Sequence, residues 1–229
     1  IKYVYQGQRE NILYDLTIVA CPHTGLDDTG RCTYCNKTGF AASVTKNGVT
    51  TGYTDFESAL QEVCNGKSGA LKLLQNQNLG NSYQYDINGT LDLNGKTLGG
   101  RLACSDRSDL RIENSSSTQS KLENLFVKPG GKVTIVDTRG NITFGAVTVC
   151  SGSVADLLPE GGAYRSTFGE EKWISAEEAA GSTSLTNVTV EEAPVKSVTL
   201  TANQTTVTYG ESQTVTLTAA DAPDGMVFD

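Results

Sequence analysis

The chain has almost no histidine, methionine or tryptophan, one of each in 229 residues, and aromatic side chains make up only 7% of it. With a single imidazole there is little from which to build a nucleophile–base pair, so the usual routes to hydrolytic chemistry are poorly supplied. Basic residues are also scarce. The 18 Lys and Arg against 26 Asp and Glu give a net charge of −8, and no basic run or stripe interrupts the acidic balance. Phosphate backbones need a concentrated positive footprint, which removes nucleic acid from the expected partners. No apolar stretch approaches the ~18 residues of a membrane helix, and the start lacks the basic-then-apolar profile of a signal peptide. No membrane insertion is therefore expected within this segment. Neither absence points to the cytoplasm. The chain opens on the strand-like Ile1-Lys2-Tyr3-Val4-Tyr5 and is expected to be a piece of a longer polypeptide with flanking domains. Charged residues are only 19%, while Gly, Ser, Thr and Asn are abundant, which fits an extracellular bacterial β protein, secreted or on the cell surface.

What is present is concentrated. Cys21-Pro22-His23 is followed by Cys32-Thr33-Tyr34-Cys35, so three of the six cysteines and the only histidine share fifteen residues. Thiolate sulfur and imidazole nitrogen are the ligands zinc prefers, and a Cys-x-x-Cys turn puts two sulfurs on one side of a tetrahedron. The residues between, Thr24-Gly25-Leu26-Asp27-Asp28-Thr29-Gly30-Arg31, are rich in turn formers that bring the two pairs together. Cys21, His23, Cys32 and Cys35 are accordingly the candidate ligands of one structural zinc ion, because four ligands leave no open position. Two disulfides in a secreted protein, with His23 an ordinary loop residue, are the competing reading. A redox Cys-x-x-Cys lacks the βαβ setting it normally occupies. If zinc takes three thiols, Cys64, Cys104 and Cys150 remain as an odd number.

The rest of the chain divides into three parts. Residues 1–53 hold strand-like segments, the zinc loop over 21–39, and a hairpin of Phe40–Val44 and Val49–Tyr53 about Asn47-Gly48, a dipeptide suited to a tight β-turn. A helix is expected over 54–64. Thr54 and Glu57 form its capping box, Phe56, Ala59, Leu60 and Val63 lie on one face, and Asn65-Gly66 ends it. From Ala70 to about Leu158 short apolar strands recur, with starts at Leu91, Leu110 and Val133 separated by 19 and 23 residues. That spacing suits coils of a solenoid, and the helix before them is placed to cover the open N-terminal end. An antiparallel sandwich is the competing arrangement. Residues 159–194, with Trp173 and an acidic, alanine-rich stretch, read as transition and cap. After Pro194, Val198 and Leu200, Val207 and Tyr209, then Val215 and Leu217 alternate with polar residues as in half-buried antiparallel strands. The expected domains are thus 1–53, 54–194 and 195–229.

Two stretches carry a resemblance. Tyr83 to Leu98, with Leu91-Asp92-Leu93-Asn94-Gly95-Lys96-Thr97, resembles a coil of the pectate-lyase-like right-handed parallel β-helices in large surface proteins of Gram-positive bacteria, and Ser153 to Arg165 resembles the end of such domains. Val195 to Ala220 resembles the opening strands of bacterial immunoglobulin-like (Big-type) repeats, cut short at Asp229 after about 35 of the ~100 residues expected. The resemblance implies a mainly β fold and a structural stalk, adhesin or ligand-binding module whose partners are host or cell-wall glycans or surface proteins. The same coils serve lyases and inert stalks alike, so it specifies architecture more than activity. No catalytic residues are assigned. The alternatives are a carbohydrate-binding module using Tyr83, Tyr85, Tyr164 and Trp173 as sugar platforms, and a polysaccharide lyase or glycoside hydrolase built on Asp109, Arg111, Glu113, Asp137 and Arg139. Gly95-Lys96-Thr97 mimics the end of a phosphate loop but Thr90 stands where its first glycine belongs, and Asp86-Ile87-Asn88-Gly89 lacks the closing glutamate of a calcium loop.

Overall fold

The computed structural model describes residues 2–7, 10–15, 20–27, 29–80, 84–169, 172–194, 199–202 and 217–220. Its contacts divide the chain into two units, 1–192 and 193–229. In the first, β1 (Lys2–Gly7) and β2 (Glu10–Asp15) pair antiparallel. There follow β3 (Ala42–Lys46), β4 (Val49–Tyr53), α1 (Phe56–Gln61), β5 (Gly69–Leu73), β6 (Gln77–Asn78), β7 (Gln84–Tyr85), β8 (Asn88–Asp92), β9 (Thr97–Cys104), β10 (Asp109–Glu113), β11 (Ser120–Val127), β12 (Lys132–Ile135) and β13 (Arg139–Val149). A 3₁₀ turn (Val154–Leu157), β14 (Gly162–Ser166), β15 (Trp173–Ile174), α2 (Ala176–Ala179) and β16 (Ser184–Glu192) complete it.

The middle of this unit is a β-solenoid. Strands β5, β8, β10 and β12 stack in parallel as one sheet, and β9, β11 and β13 stack in parallel as another, so the chain alternates between the two sheets coil by coil. In the first coil β6 and β7 together underlie β9, pairing with its two halves. Register puts like residues on top of one another: Leu71, Leu91, Ile112 and Ile135 form one inward row. Leu98, Leu122 and Phe144 form a second, and Leu102, Leu125 and Val147 a third. All of these are buried. Each such side chain contributes ~1.5–3 kcal/mol on leaving water, and only neighbouring coils can cover it. Coil spacing also dictates Gly89. With φ of 107°, a Cβ there would stand 2.1 Å from the Gly69 carbonyl oxygen, so no other residue fits between those coils.

Both ends of the solenoid are closed by antiparallel structure. At the N-terminal end β3 pairs antiparallel with β5 and β4 with β3, about a turn in which Asn47 and Gly48 both have positive φ (49° and 77°). The hairpin thus extends the first sheet to the order β12-β10-β8-β5-β3-β4. Helix α1 packs beside it and sends Phe56, Ala59 and Leu60 into the shared core, followed by Val63 and Cys64. Its N-cap is Asp55, whose carboxylate accepts from the Ser58 N–H, rather than the Thr54 expected from sequence, and the helix stops at Gln61. An aspartate one residue nearer the apolar face satisfies the free N–H groups of the first turn better than the capping box does. At the other end β16 lies antiparallel on β13 and β14 on β16. Residues 159–194, read from sequence as transition and cap, therefore supply long strands as well.

The second unit is described only by β17 (Thr199–Ala202) and β18 (Leu217–Ala220), which pair antiparallel. Val198, Val207, Tyr209 and Val215 lie outside the described residues, as do Ile18 and Val19 ahead of the cysteine loop. Among the described residues no helix is long and apolar enough to cross a membrane.

Candidate metal centre

The loop 20–39 is shaped by its polar residues. Asp27 accepts from the N–H and hydroxyl of Thr29 and from the N–H of Arg31, which closes a short turn and holds the Asp27 carboxyl below the usual carboxylate range, the Thr29 hydroxyl contributing most. Leu26 then bridges back to Cys32. Beyond it the Asn36 N–H donates to the Cys32 carbonyl and the Cys32 N–H to the Lys37 carbonyl, a tight turn that Asn36 completes at φ of 60°.

The other half of the loop is laid along the sheet. Thr24 bridges antiparallel to Thr51 in β4, the Gly25 N–H donates to the Thr50 carbonyl at 2.7 Å, and the Gly52 N–H donates to the His23 carbonyl at 3.0 Å. The His23 ring meets the edge of Phe40 at 5.2 Å between centroids. Phe40 in turn lies flat over Gly52, where a Cβ would come within 2.9 Å of its ring. The absent side chain of Gly52 makes room for the ring that supports His23.

These two halves bring the four sequence-chosen residues together. One ligand atom from each of Cys21, His23, Cys32 and Cys35 lies within 4.8 Å of the others. The Cys21 and Cys32 sulfurs are 3.7 Å apart, and the Cys35 sulfur is 3.4 Å from His23 Nδ1. A tetrahedral zinc ion with bonds of about 2.3 Å to sulfur and about 2.0 Å to nitrogen spaces its ligands by about 3.8 and about 3.5 Å. These two separations match neighbouring ligands of one tetrahedral ion, and the remaining ones, within 4.8 Å, let the four residues hold a metal. All six cysteines are free, so neither pair of the loop is joined as a disulfide. Cys32 is buried, Cys21 and His23 are half-buried, and Cys35 is exposed.

Electrostatics single out Cys32. Burial opposes its ionisation, yet the Cys35 N–H, the His23 ring, the Tyr34 N–H and the Cys35 thiol outweigh that and bring it down to about 6. Cys21 moves the other way. The His23 N–H favours its thiolate, but burial and the adjoining Cys35 and Cys32 sulfurs together push its thiol up. N–H groups aimed at a thiolate are the outer contacts that orient a metal ligand.

The loop also walls a groove. About 470 Å³ of space lies between it and the outward face of the first sheet, bounded by Asp27, Gly30, Phe40, Thr45, Lys72 and Asn94 among others. Asp92 on its floor is buried and held by Ser115 and Lys72. Sequence reasoning missed the groove, and missed Asp27, Phe40 and Gly52 as the loop's supports. The Asp27-x-Thr29-x-Arg31 spacing is a local signal for Asp27 alone.

The remaining candidates are dispersed. Asp109 and Arg111 are exposed on the open face of β10, in different rows of the sheet. Glu113, Asp137 and Arg139 line a hollow of about 240 Å³, but the buried Asp137 carboxylate is already held by the Arg139 guanidinium at 2.6 Å. Two of the aromatic platforms are corrected: Tyr85 and Tyr164 are core residues at 5% and 0% exposure, the Tyr164 hydroxyl donating to the Val154 carbonyl. A tyrosine flanked by glycine turns alternates like any inward strand residue, and stacked coils bury it. Trp173 is half-buried beneath Arg165, and Tyr83 lies outside the described residues. The phosphate-loop mimic is a turn between β8 and β9 made by Asn94 and Gly95 at φ of 47° and 70°. No protein-family model, no curated protein and no solved structure matches this chain.

Proposed function

We propose that the chain is a non-catalytic segment of a secreted or cell-surface bacterial protein, a stalk or ligand-binding module in which one structural zinc ion locks the loop 20–39 onto the solenoid. In this reading the coils wind right-handed, as parallel crossovers nearly always do, and belong to the pectate-lyase-like class. The strands after residue 193 begin a bacterial immunoglobulin-like repeat, and the partners are host or cell-wall glycans or surface proteins. The observation that carries the reading is the cluster of four ligand atoms within 4.8 Å of one another, seated on a segment hydrogen-bonded to β4. Zinc bound there supplies a crosslink. Cys32 holds the ion from the buried side, His23 ties it to the sheet edge, and a set of four protein ligands leaves no position for substrate. Metal analysis of the purified full chain tests this, with one zinc per chain expected. A chain without zinc and with Cys32 or Cys35 in a disulfide overturns it.

The groove favours a second reading, a carbohydrate-binding module. Its lining of hydroxyl, amide and paired charged groups suits a polyhydroxylated ligand better than an apolar one. Titration with cell-wall oligosaccharides, followed by amide shifts, discriminates: perturbations confined to Asp27, Thr45, Lys72 and Asn94 support it. For the lyase and hydrolase alternatives, turnover of uronic-acid polymers that disappears in Arg111→Ala or Asp137→Ala would make the outward face of the coils an active site.

A further inference from the structure

We infer that the metal loop is a removable guard on the edge of the first sheet, and that the metal-free chain pairs through β4 with a second copy of itself. The inference rests on the metal reading above. Strand β4 is the last strand of the six-stranded sheet. Its partner β3 uses the backbone groups of Val49, Thr51 and Tyr53, so those of Thr50 and Gly52 point outward. In the structure two of these outward groups are occupied by the metal loop, the Thr50 carbonyl by the Gly25 N–H and the Gly52 N–H by the His23 carbonyl. A sheet edge without such cover is a template for another strand.

Apart from its metal ligands and the Phe40 ring against His23, the guard has little hold on the edge. Only residues 23–25 lie on the edge, and they do so through two backbone hydrogen bonds. His23 reaches them at φ of 54°, a conformation that residues with a Cβ rarely adopt, with Gly25 at 75° beside it. Coordination through the His23 ring holds that geometry. Without it the segment has every reason to relax toward extended backbone and leave the edge.

The vacated edge is complementary to itself. In an antiparallel pair centred on Thr51, Thr50 of one copy stands opposite Gly52 of the other, and each pair exchanges two N–H to carbonyl bonds. The four hydrogen bonds of the pair, two per copy, replace the two that each loop made, so the edge loses none on exchanging its guard for a second strand. A second β4 therefore presents Thr50, Thr51 and Gly52 where the loop presented His23, Thr24 and Gly25, and the two six-stranded sheets join about a two-fold axis. Val49, 52% exposed at the end of the strand, gains apolar cover in the pair.

Sedimentation of the full chain under reducing conditions, with zinc and after chelation over a range of concentrations, reads the result. The zinc-bound chain is expected to run at its monomer mass of 24.3 kDa and the metal-free chain at twice that, returning to monomer when zinc is restored. Thr50→Pro removes an outward N–H and keeps the carbonyl that Gly25 needs, so its metal-free form should stay monomeric. Hydrogen exchange covers the case where that variant folds poorly: in the wild-type chain the Gly52 amide should be protected with zinc, open in dilute metal-free protein, and protected again as concentration rises. A chain that binds zinc and stays monomeric without it overturns the inference and leaves the metal site standing. A chain that takes up no zinc overturns the metal reading itself.

Discussion

The coils from β5 to β13 and the loop 20–39 lie in one unit of the same chain, yet they are held by opposite means. Each coil strand buries alternate apolar residues in register with the coil above and below, so its stability is mostly area removed from water. In the loop only Cys32 is buried among the described residues from 20 to 39, and the shape is set by side-chain and backbone hydrogen bonds on the surface. Water competes for every one of those bonds, and each contributes on the order of 1 kcal/mol net. The proposed metal would add a crosslink to a segment built that way. The difference teaches where a metal is useful: at the margin of a fold whose core is already sufficient.

The largest effect expected from breaking this comparison is in the core. Leu60→Asp with Val63→Asp places two carboxylates at positions that are 1% exposed, between α1 and the first sheet. Unpaired charge there is among the few changes that remove a fold outright. The doubly substituted chain should be insoluble or unfolded with or without zinc. A soluble chain of wild-type midpoint would show that the helix is dispensable to the solenoid end.

Next in size is Cys32→Ser, which strikes the loop alone. It removes the buried ligand and should abolish zinc retention, with fast amide exchange over residues 20–39 and unchanged exchange over Leu91, Ile112 and Leu122. Slowed or accelerated exchange spreading into the coils would mean that the two regions are one cooperative unit. Gly52→Ala sits between the regions. Its Cβ would meet the Phe40 ring at 2.9 Å, and overpacking of that kind costs about 1–3 kcal/mol. Because Phe40 backs His23, zinc affinity should fall together with the unfolding midpoint, and a loss of midpoint at unchanged affinity would separate the ring from the metal.

Thiol chemistry sharpens the same contrast. Cys32 has a folded value of about 6, below the 9.0 of a free thiol, so its contribution to stability is complete above 9.0 and is lost as pH falls through about 6. Protons and metal compete for this sulfur, and zinc affinity measured against a chelator should drop over that window while the coils keep their structure. In the core the shift is reversed. Burial, and then the Asp86 charge, raises Cys64 to about 11, and burial, and then Cys64, raises Cys104 to about 12. Both should resist alkylation in the native chain, whereas exposed Cys150 reacts at once and Cys35 reacts after metal removal.

Much of this organisation was legible in the residues. The Asn47-Gly48 turn, the apolar strands at Leu71, Leu91, Leu110 and Val133, and the four ligand residues were each readable because a short pattern decides them locally. What escaped was decided at a distance. The length of β9, β11 and β13 depends on a neighbour in register, and the glycine pair at 99 and 100 obscures the alternation in β9. Strand β16 lies in the stretch read as transition and cap, and nothing in the alternation Val188-Thr189-Val190 shows that Thr189 is buried with its two neighbours. The support of His23 by Phe40 over Gly52 is a contact between segments that no spacing announces.

The smallest effect bears on a misplacement of a single residue. Thr54 and Glu57 have the spacing of a capping box, but the structure gives the cap to Asp55, whose carboxylate accepts from both the N–H and the hydroxyl of Ser58. Those two bonds, the hydroxyl first, hold the Asp55 carboxyl below its ordinary range, so the charged form is the one that caps. Asp55→Ala should lower the unfolding midpoint by about 2–4 °C, since an N-cap deletion typically costs that much in a chain of this length. Thr54→Ala should leave it unchanged. The Asp55 effect should also fade on acidification, because a carboxyl whose folded value is depressed stabilises above its unfolded value and loses that contribution as it takes up a proton. Equal effects of the two substitutions would return the cap to Thr54, and with it the helix start that the sequence alone suggests.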